Sequence, residues 1–290
     1  MSHPKKKNMS TEDKNRVVGG MLYLVATPIG NLSDLSPRAI KVLSEVDFVA
    51  AEDTRNSGLL LSRFDISKPM VSYFEHNKRE RGPYICDRLE GGESCALITD
   101  AGTPAISDPG EDLVKLCREK GIRVESVPGP CAFATALAIS GMPSKRFTFE
   151  GFLPMEKSER REHLELLVGE RRTMIFYEAP HKLAQTLKDL AKTLGDREIA
   201  IVRELTKIHE EVIKSTLCAA AEKYSEEQIK GELVLIVKGA DAPEKVQMTL
   251  EQAAEYAREL IAKGEGKSDA AKLAAKESGL KKGDIYKLII

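Results

Sequence analysis

The sequence predicts an α/β protein with two successive sheet-bearing domains and a small helical appendage, and three observations predict it. Short apolar runs alternate with stretches of helical period between Met21 and Gly239. Most of these runs end in loops holding glycine, proline or a carboxylate, the places where open α/β sheets bind ligands. Beyond Gly239 the helical period continues alone. Strands that alternate with helices build a mostly parallel sheet covered on both faces.

Residues 1–20 are polar, contain Lys5-Lys6-Lys7 and lack apolar periodicity. They are expected to form a flexible tail, because they bury too little surface to offset the entropy of ordering. The first domain, expected over 21–141, opens with Leu22-Tyr23-Leu24-Val25-Ala26, a buried strand that breaks at residues 27–31. Ser36 and Pro37 suit the N-cap and first position of a helix whose Ala39, Ile40, Leu43 and Val46 share a face. Phe48-Val49-Ala50-Ala51, Met70-Val71-Ser72-Tyr73, Cys95-Ala96-Leu97-Ile98-Thr99 and residues 122–127 supply further strands, with a helix around 84–90. Residues 132–140 form a helix of small side chains that permits close backbone approach. Breakers cluster at Gly141-Met142-Pro143, where the boundary is placed. The second domain, 142–240, repeats the alternation with different loops, with strands at 147–152, 173–177, 198–203 and 232–237 and helices at 157–168 and 181–194. The appendage, 241–290, carries one stripe through Leu250, Ala254, Ala257 and Ile261 and another through Ala271, Leu273 and Ala274.

At 290 residues, 42% hydrophobic and 31% charged, the chain can bury two cores. Its 44 basic and 45 acidic residues nearly cancel, so a nucleic-acid partner must be held by local basic patches. Five cysteines, Cys86, Cys95, Cys117, Cys131 and Cys218, show no CxxC pair and argue against a disulfide framework or a structural zinc. The histidines lack HExxH spacing, so no metal site is expected. No apolar run approaches the roughly 20 residues that cross a bilayer, and the N-terminus lacks the order of a secretory signal. A cytoplasmic location without membrane contact is the expectation.

Three loops are candidates for ligand contact. The first, Thr27-Pro28-Ile29-Gly30-Asn31, lacks GxGxxG, so a turn and a ligand loop are equally open. In the second, residues 99–110, a strand ends in Asp100 and is followed by two glycines and two prolines. A rigid loop of this kind exposes amides that suit an adenosyl or methionyl group, and without GxxxxGK[ST] it does not read as a triphosphate site. The third, Val127-Pro128-Gly129-Pro130-Cys131-Ala132, opens the small-residue helix and serves equally as a corner or a ligand contact. Polar clusters close other strands: Glu52, Asp53 and Arg55; Glu75, His76 and Asn77; Glu178 and His181; Arg203, Glu204, Lys207 and His209. Each offers a base or a cation, yet most such neighbours in proteins are solvated pairs.

Taken in order, these segments with Phe149-Glu150-Gly151-Phe152-Leu153-Pro154, Phe176-Tyr177-Glu178-Ala179-Pro180-His181 and Arg203-Glu204-Leu205-Thr206-Lys207 form one series. Over residues 21–239 it resembles the branch of the tetrapyrrole methylase superfamily that methylates the ribose 2′-oxygen of a cytidine in small-subunit (16S) ribosomal RNA. The resemblance implies two unlike αβα domains of a class III methyltransferase, S-adenosylmethionine in the cleft, a homodimer, and the small ribosomal subunit as partner. It assigns Asp100, Gly102, Thr103, Pro104, Ala105 and Ile106 to the donor pocket. Cys131 and Ala132 join them, with Cys131 standing where many relatives have serine, and Tyr177, Leu205 and Leu233 border it. Asn31, Asp53, Arg55, His76, Asn77, His181, Arg203 and Lys207 would surround ribose and phosphates, with Glu52 and Glu178 as candidates for the base or for positioning. The appendage resembles the family's helix-turn-helix-like tail, and Lys272, Lys276, Lys281 and Lys282 would face either RNA or solvent.

Two rivals remain at this stage. A superfamily methylase acting on a tetrapyrrole or a protein would share fold and donor pocket, but segments 149–154 and 176–181 resemble the RNA branch. A non-catalytic RNA-binding assembly factor would not need the intact 99–110 loop.

Overall fold

A computed structural model describes residues 16–241 and 248–290. One compact unit ends at Ala240, and a second runs from Asp241 to Ile290. The first unit holds two five-stranded sheets. Its first sheet is wholly parallel in the order β3-β2-β4-β1-β5, from β1 (Met21–Val25), β2 (Phe48–Ala51), β3 (Met70–Ser72), β4 (Cys95–Ile98) and β5 (Arg123–Val127). Its central strands β2 and β4 are buried along their whole length, as helices on both faces require.

Helix α1 (Pro37–Glu45) starts where the sequence predicts, with the Ser36 hydroxyl accepting from the Ala39 N–H at 3.1 Å. It packs Ala39, Val42 and Leu43 on one face of the sheet. On the other face, α3 (Lys78–Glu90) and α4 (Gly110–Glu119) bury Ile85, Leu89 and Leu113. Helix α2 (Thr54–Ser62), between β2 and β3, was not foreseen. The tail expected over 1–20 lies outside the described residues up to residue 15, and its last residues are held in place. Val17 packs against the core beside α1, the Val18 N–H donates to Tyr23 Oη at 2.8 Å, and the Gly20 N–H donates to the Glu93 carbonyl at 2.9 Å.

The second sheet departs from the parallel expectation. It runs β6-β7-β10-β8-β9, from β6 (Phe147–Phe152), β7 (Thr173–Glu178), β8 (Glu198–Arg203), β9 (Glu211–Thr216) and β10 (Leu233–Val237), and only β6 and β7 pair in parallel. Strand β9 and helix α8 (Leu217–Glu226) lie in a stretch where the sequence reading placed no element. With β9 returning antiparallel beside β8, no crossover helix separates the two, which is why the alternation fails there. Helices α6 (Lys157–Leu166), α7 (Leu183–Leu194) and α8 bury Leu164, Leu187, Leu190 and Leu217 against one face, with Met174 and Phe176 beneath them. The other face is covered by α5 (Ala132–Ser140), whose Ala136 and Leu137 meet Ile175, Ala200 and Val234. The small-residue helix thus precedes the breakers at 141–143 yet packs on the sheet that follows them.

In the second unit, α9 (Leu250–Ala262), α10 (Lys267–Ser278) and α11 (Lys282–Ile289) enclose Ala253, Ala254, Ala257, Ala270, Ala271, Ala274, Ile285 and Ile289. Thr249 and Gln252 cap α9 reciprocally. Leu273, expected in the second stripe, is exposed. The alanines at 270, 271 and 274 make the contact instead.

Candidate active site

Strand β1 lies beside β4, and β4 beside β2, so the loops leaving their carboxyl ends are neighbours, the arrangement that creates a crevice in an open sheet. Thr27 and Gly102 exchange both backbone hydrogen bonds, at 2.9 and 3.1 Å, and the Thr27 hydroxyl donates to the Thr99 carbonyl at 3.0 Å. The loop after β4 is therefore clamped to the loop after β1. Within it Ala105 (φ 66°) and Ser107 (φ 63°) occupy the left-handed region, which costs roughly 1–3 kcal/mol per residue. One carboxylate holds that shape: Asp108 accepts from the N–H groups of Ala105, Ile106 and Gly110 at 3.0, 3.3 and 2.7 Å. At Gly110 a Cβ would lie 2.6 Å from Asp108 Oδ1 and 2.9 Å from the Ala105 nitrogen, so the knot requires glycine. The Thr103 hydroxyl ties the loop to the third one through the Pro130 carbonyl at 2.9 Å.

These loops form one wall of a cavity of about 440 Å³, and Phe152, Tyr177, Glu178, Leu205, Leu233 and Val234 are among the residues that complete it. Of the residues singled out from the sequence, Glu52, Gly102, Thr103, Ile106, Cys131, Ala132, Tyr177, Glu178, Leu205 and Leu233 line it. Asp100 does not: it is exposed and accepts from the Asn56 amide at 3.1 Å. Pro104 is buried in the loop, and Ala105 gives its N–H to Asp108. Ile29, Ser107 and Asp108, named in the candidate loops, and Phe152, named in the series, were given no contact of their own, and Glu232 was missed; all five also line the cavity. A signal for Asp108 was present, since Asp before Pro-Gly at a helix start is a residue type that folds back on nearby N–H groups.

The residues expected to surround ribose and phosphates lie outside this lining. Asn31 caps a short helical turn by accepting from the Ser33 N–H at 3.0 Å. Asp53 caps α2 and pairs with Arg55, whose hydrogen bonds hold its carboxyl at about 2. His76 is exposed and edge-on to Phe74, while Asn77 braces its own turn through the Phe74 N–H at 2.8 Å. His181 lines a separate hollow of about 570 Å³ with Tyr224 and Lys230. Arg203 donates to the Lys230 carbonyl at 2.6 Å and lies 3.5 Å from Glu211. Lys207 bridges Glu204 and Glu232 at 2.9 and 3.0 Å; desolvation pulls its pKa down, but the two carboxylates outweigh it and leave the pKa raised.

Of the carboxylates that line the cavity, Glu52 and Glu178 are held in different states. Glu178 is buried at the end of β7, where Thr186 Oγ1 donates to one oxygen and the Ala179 N–H to the other, the latter at 2.8 Å. Glu52 is exposed and accepts only from the Thr99 hydroxyl, at 3.0 Å, among the described residues. Tyr177 is pushed up to about 12 by burial, and its Oη accepts from the Phe133 N–H at 3.1 Å. No lysine, arginine or histidine lines the cavity among the described residues. An apolar hollow of this size, walled with carboxylates and free of cations, suits a small organic ligand bearing positive charge and disfavours a phosphate-bearing one.

Comparison with known proteins agrees with this geometry. Residues 21–221 match the family model of the tetrapyrrole (corrin/porphyrin) methylases. The chain is 44% identical to a ribosomal RNA small subunit methyltransferase I of Synechocystis sp., over 93% of this chain and 97% of that one. It is 48% identical to the protein of that name from Xylella fastidiosa (92% and 98% covered) and 45% identical to that from Bacillus subtilis (92% and 93%). Among solved structures it resembles a cobalt precorrin-4 methyltransferase at TM-score 0.57 and 17% identity, covering 76% of this chain and 95% of that one. It also resembles the uroporphyrin-III C-methyltransferase of Thermus thermophilus complexed with S-adenyl homocysteine, at TM-score 0.54 and 17% identity, covering 75% and 97%.

Proposed function

The chain belongs to the tetrapyrrole methylase family and, within it, to the ribosomal RNA small subunit methyltransferases I; from that premise we propose that it transfers a methyl group from S-adenosylmethionine to the ribose 2′-oxygen of a cytidine in 16S ribosomal RNA. The observation that carries this reading is the cation-free, carboxylate-bearing cavity walled by the loop 99–110 and the second sheet. Kinship favours ribosomal RNA over a tetrapyrrole: identity is 44–48% to the ribosomal RNA enzymes across almost the whole chain and 17% to the two tetrapyrrole enzymes compared above.

S-adenosylmethionine, when bound, supplies a methyl carbon made electrophilic by its sulfonium, with a neutral thioether as leaving group. Gly102, Thr103, Ile106, Cys131, Ala132, Tyr177, Leu205 and Leu233 hold it, while Asp100, Pro104 and Ala105 shape the loop that presents their neighbours. Asp108 keeps the loop in its strained form before any ligand arrives, so binding does not have to order it. Glu52 accepts the ribose proton as the oxygen attacks, because its carboxylate has one oxygen without a protein donor among the described residues. Glu178, with both oxygens engaged, positions the end of β7. Tyr177, kept neutral by its burial, would give the donor an apolar wall that helps keep water out of the cavity. Asn31, Asp53, Arg55, His76, Asn77, His181, Arg203 and Lys207 face the RNA side, the cations meeting phosphates, which position without choosing sequence. The protein acts in the cytoplasm as a homodimer on the small subunit, and Lys272, Lys276, Lys281 and Lys282 of the appendage add contact to the particle.

The test is to incubate the purified protein with small subunits from cells lacking it and with isotopically labelled S-adenosylmethionine, then to map the label by mass spectrometry. One ribose-methylated cytidine per particle is expected. Label on a base, on protein or nowhere would overturn the reading.

A further inference from the structure

Phe152 is a large aromatic side chain at the cavity that sequence reasoning left without a role. Strict alternation along β6 would send Phe147 and Phe149 to one face of the sheet and Phe152 to the other, among the leucines under α6 and α7. The strand does not alternate strictly. Its register against β7 slips between Phe149 and Gly151, so Phe149 pairs with Ile175, Gly151 with Phe176 and Phe152 with Tyr177. Gly151 adopts φ 62° at the bulge, and a Cβ there would press the Ser107 hydroxyl at 3.2 Å. One extra residue therefore turns Phe152 onto the face of Ile175 and Tyr177, the face that reaches the cavity.

The ring is held but not covered. It leans on Tyr177 at 5.5 Å between centroids and 60°; Tyr177 packs edge-on to Phe149 at 5.0 Å and is fixed through its Oη by the Phe133 N–H. Phe152 nevertheless stays 58% exposed. A bulge that delivers an aromatic side chain to a cavity and leaves more than half of it bare does not serve the core.

We propose that Phe152 is the platform on which the base of the target nucleotide stacks while its ribose is methylated, an inference that rests on the ribosomal RNA reading above. A ribose hydroxyl reaches a cavity of this kind only if its nucleotide leaves the neighbouring stack, and RNA-binding proteins offset that loss by offering an aromatic face. The rigid Tyr177 support keeps the platform oriented before RNA arrives.

The experiment compares Phe152→Leu, Phe152→Trp and the wild-type protein on small subunits lacking the methyl group, with donor affinity measured in parallel by calorimetry. Leucine keeps apolar packing against Tyr177 but has no aromatic face, so kcat/KM for subunits should fall about tenfold or more, with donor affinity unchanged. Tryptophan should restore most of the loss. Wild-type rates in the leucine variant, or a fall without rescue by tryptophan, would overturn the platform. Donor affinity falling in step with kcat/KM would overturn it too, by making the ring a direct contact of the donor. No methylation by the wild type would instead overturn the ribosomal RNA reading and the platform together.

Discussion

Glu52 reaches the cavity from the end of β2 with a single donor among the described residues, the Thr99 hydroxyl. Glu52→Gln keeps the shape and removes the proton acceptor, so kcat should fall about a hundredfold while donor affinity holds; full activity would leave positioning as the residue's contribution. Asp108→Ala leaves three backbone N–H groups without their acceptor, each such bond to a charged group being worth about 1.5–3 kcal/mol. The expected result is donor affinity weakened about tenfold or more, read by calorimetry. Asp53 sits near 2 because Arg55 hydrogen-bonds it, below its ordinary 3.8. A depressed folded-state pKa means that the pair's stabilisation is complete above 3.8 and is lost as pH falls through about 2. Asp53→Asn should therefore lower Tm slightly at pH 7, and the gap should close as pH approaches 2. At this scale the sequence showed which residue types gather at strand ends, and Glu52 and Tyr177 were legible as cavity residues. Asp108 showed only its residue type before Pro-Gly; which amides it binds follows from the left-handed turns at Ala105 and Ser107.

The element that decides the site is the loop between β4 and α4, closed by Gly110. Gly110→Ala places a methyl 2.6 Å from Asp108 Oδ1, an overpacking that costs typically 1–3 kcal/mol. Donor affinity and Tm should both fall, and unchanged values would mean that the knot yields without loss. Strands β1, β2 and β4 were readable as apolar runs because their burial on both faces removes the need for polar residues. Strand β9 was not. It is an edge strand with no fully buried position and with Glu211 and Lys214 exposed, and charge is how exposed edges avoid pairing with other chains. Helix α8 had a stripe, Leu217, Ala220 and Tyr224, but its apolar positions are too few to stand out beside its alanines and charges. The bulge in β6 was hidden for a different reason: Gly151 marks it, yet only pairing with β7 reveals which way Phe152 turns.

At the level of the whole molecule, the two compact units have separate cores. A chain ending after Ala240 should therefore keep its donor affinity by calorimetry and lose affinity for the small subunit in a sedimentation assay; loss of donor binding would show that the appendage supports the cavity. The succession of two sheets and a helical end was legible, whereas the sheet that α5 joins was not, since an alanine-rich helix fits either surface and the strands on either side of it, ending at Val127 and beginning at Phe147, belong to different sheets. Strand β10 is the last strand of its sheet to be made, but it lies in the middle of that sheet, between β7 and β8. During synthesis those two strands leave the ribosome with no partner on their facing edges and wait for residues 233–237 to fill the gap. Because Leu233 and Val234 also wall the cavity, a nascent or prematurely terminated polypeptide lacking them has no complete pocket, and competence to bind the methyl donor arrives only when nearly the whole of the first unit has been translated.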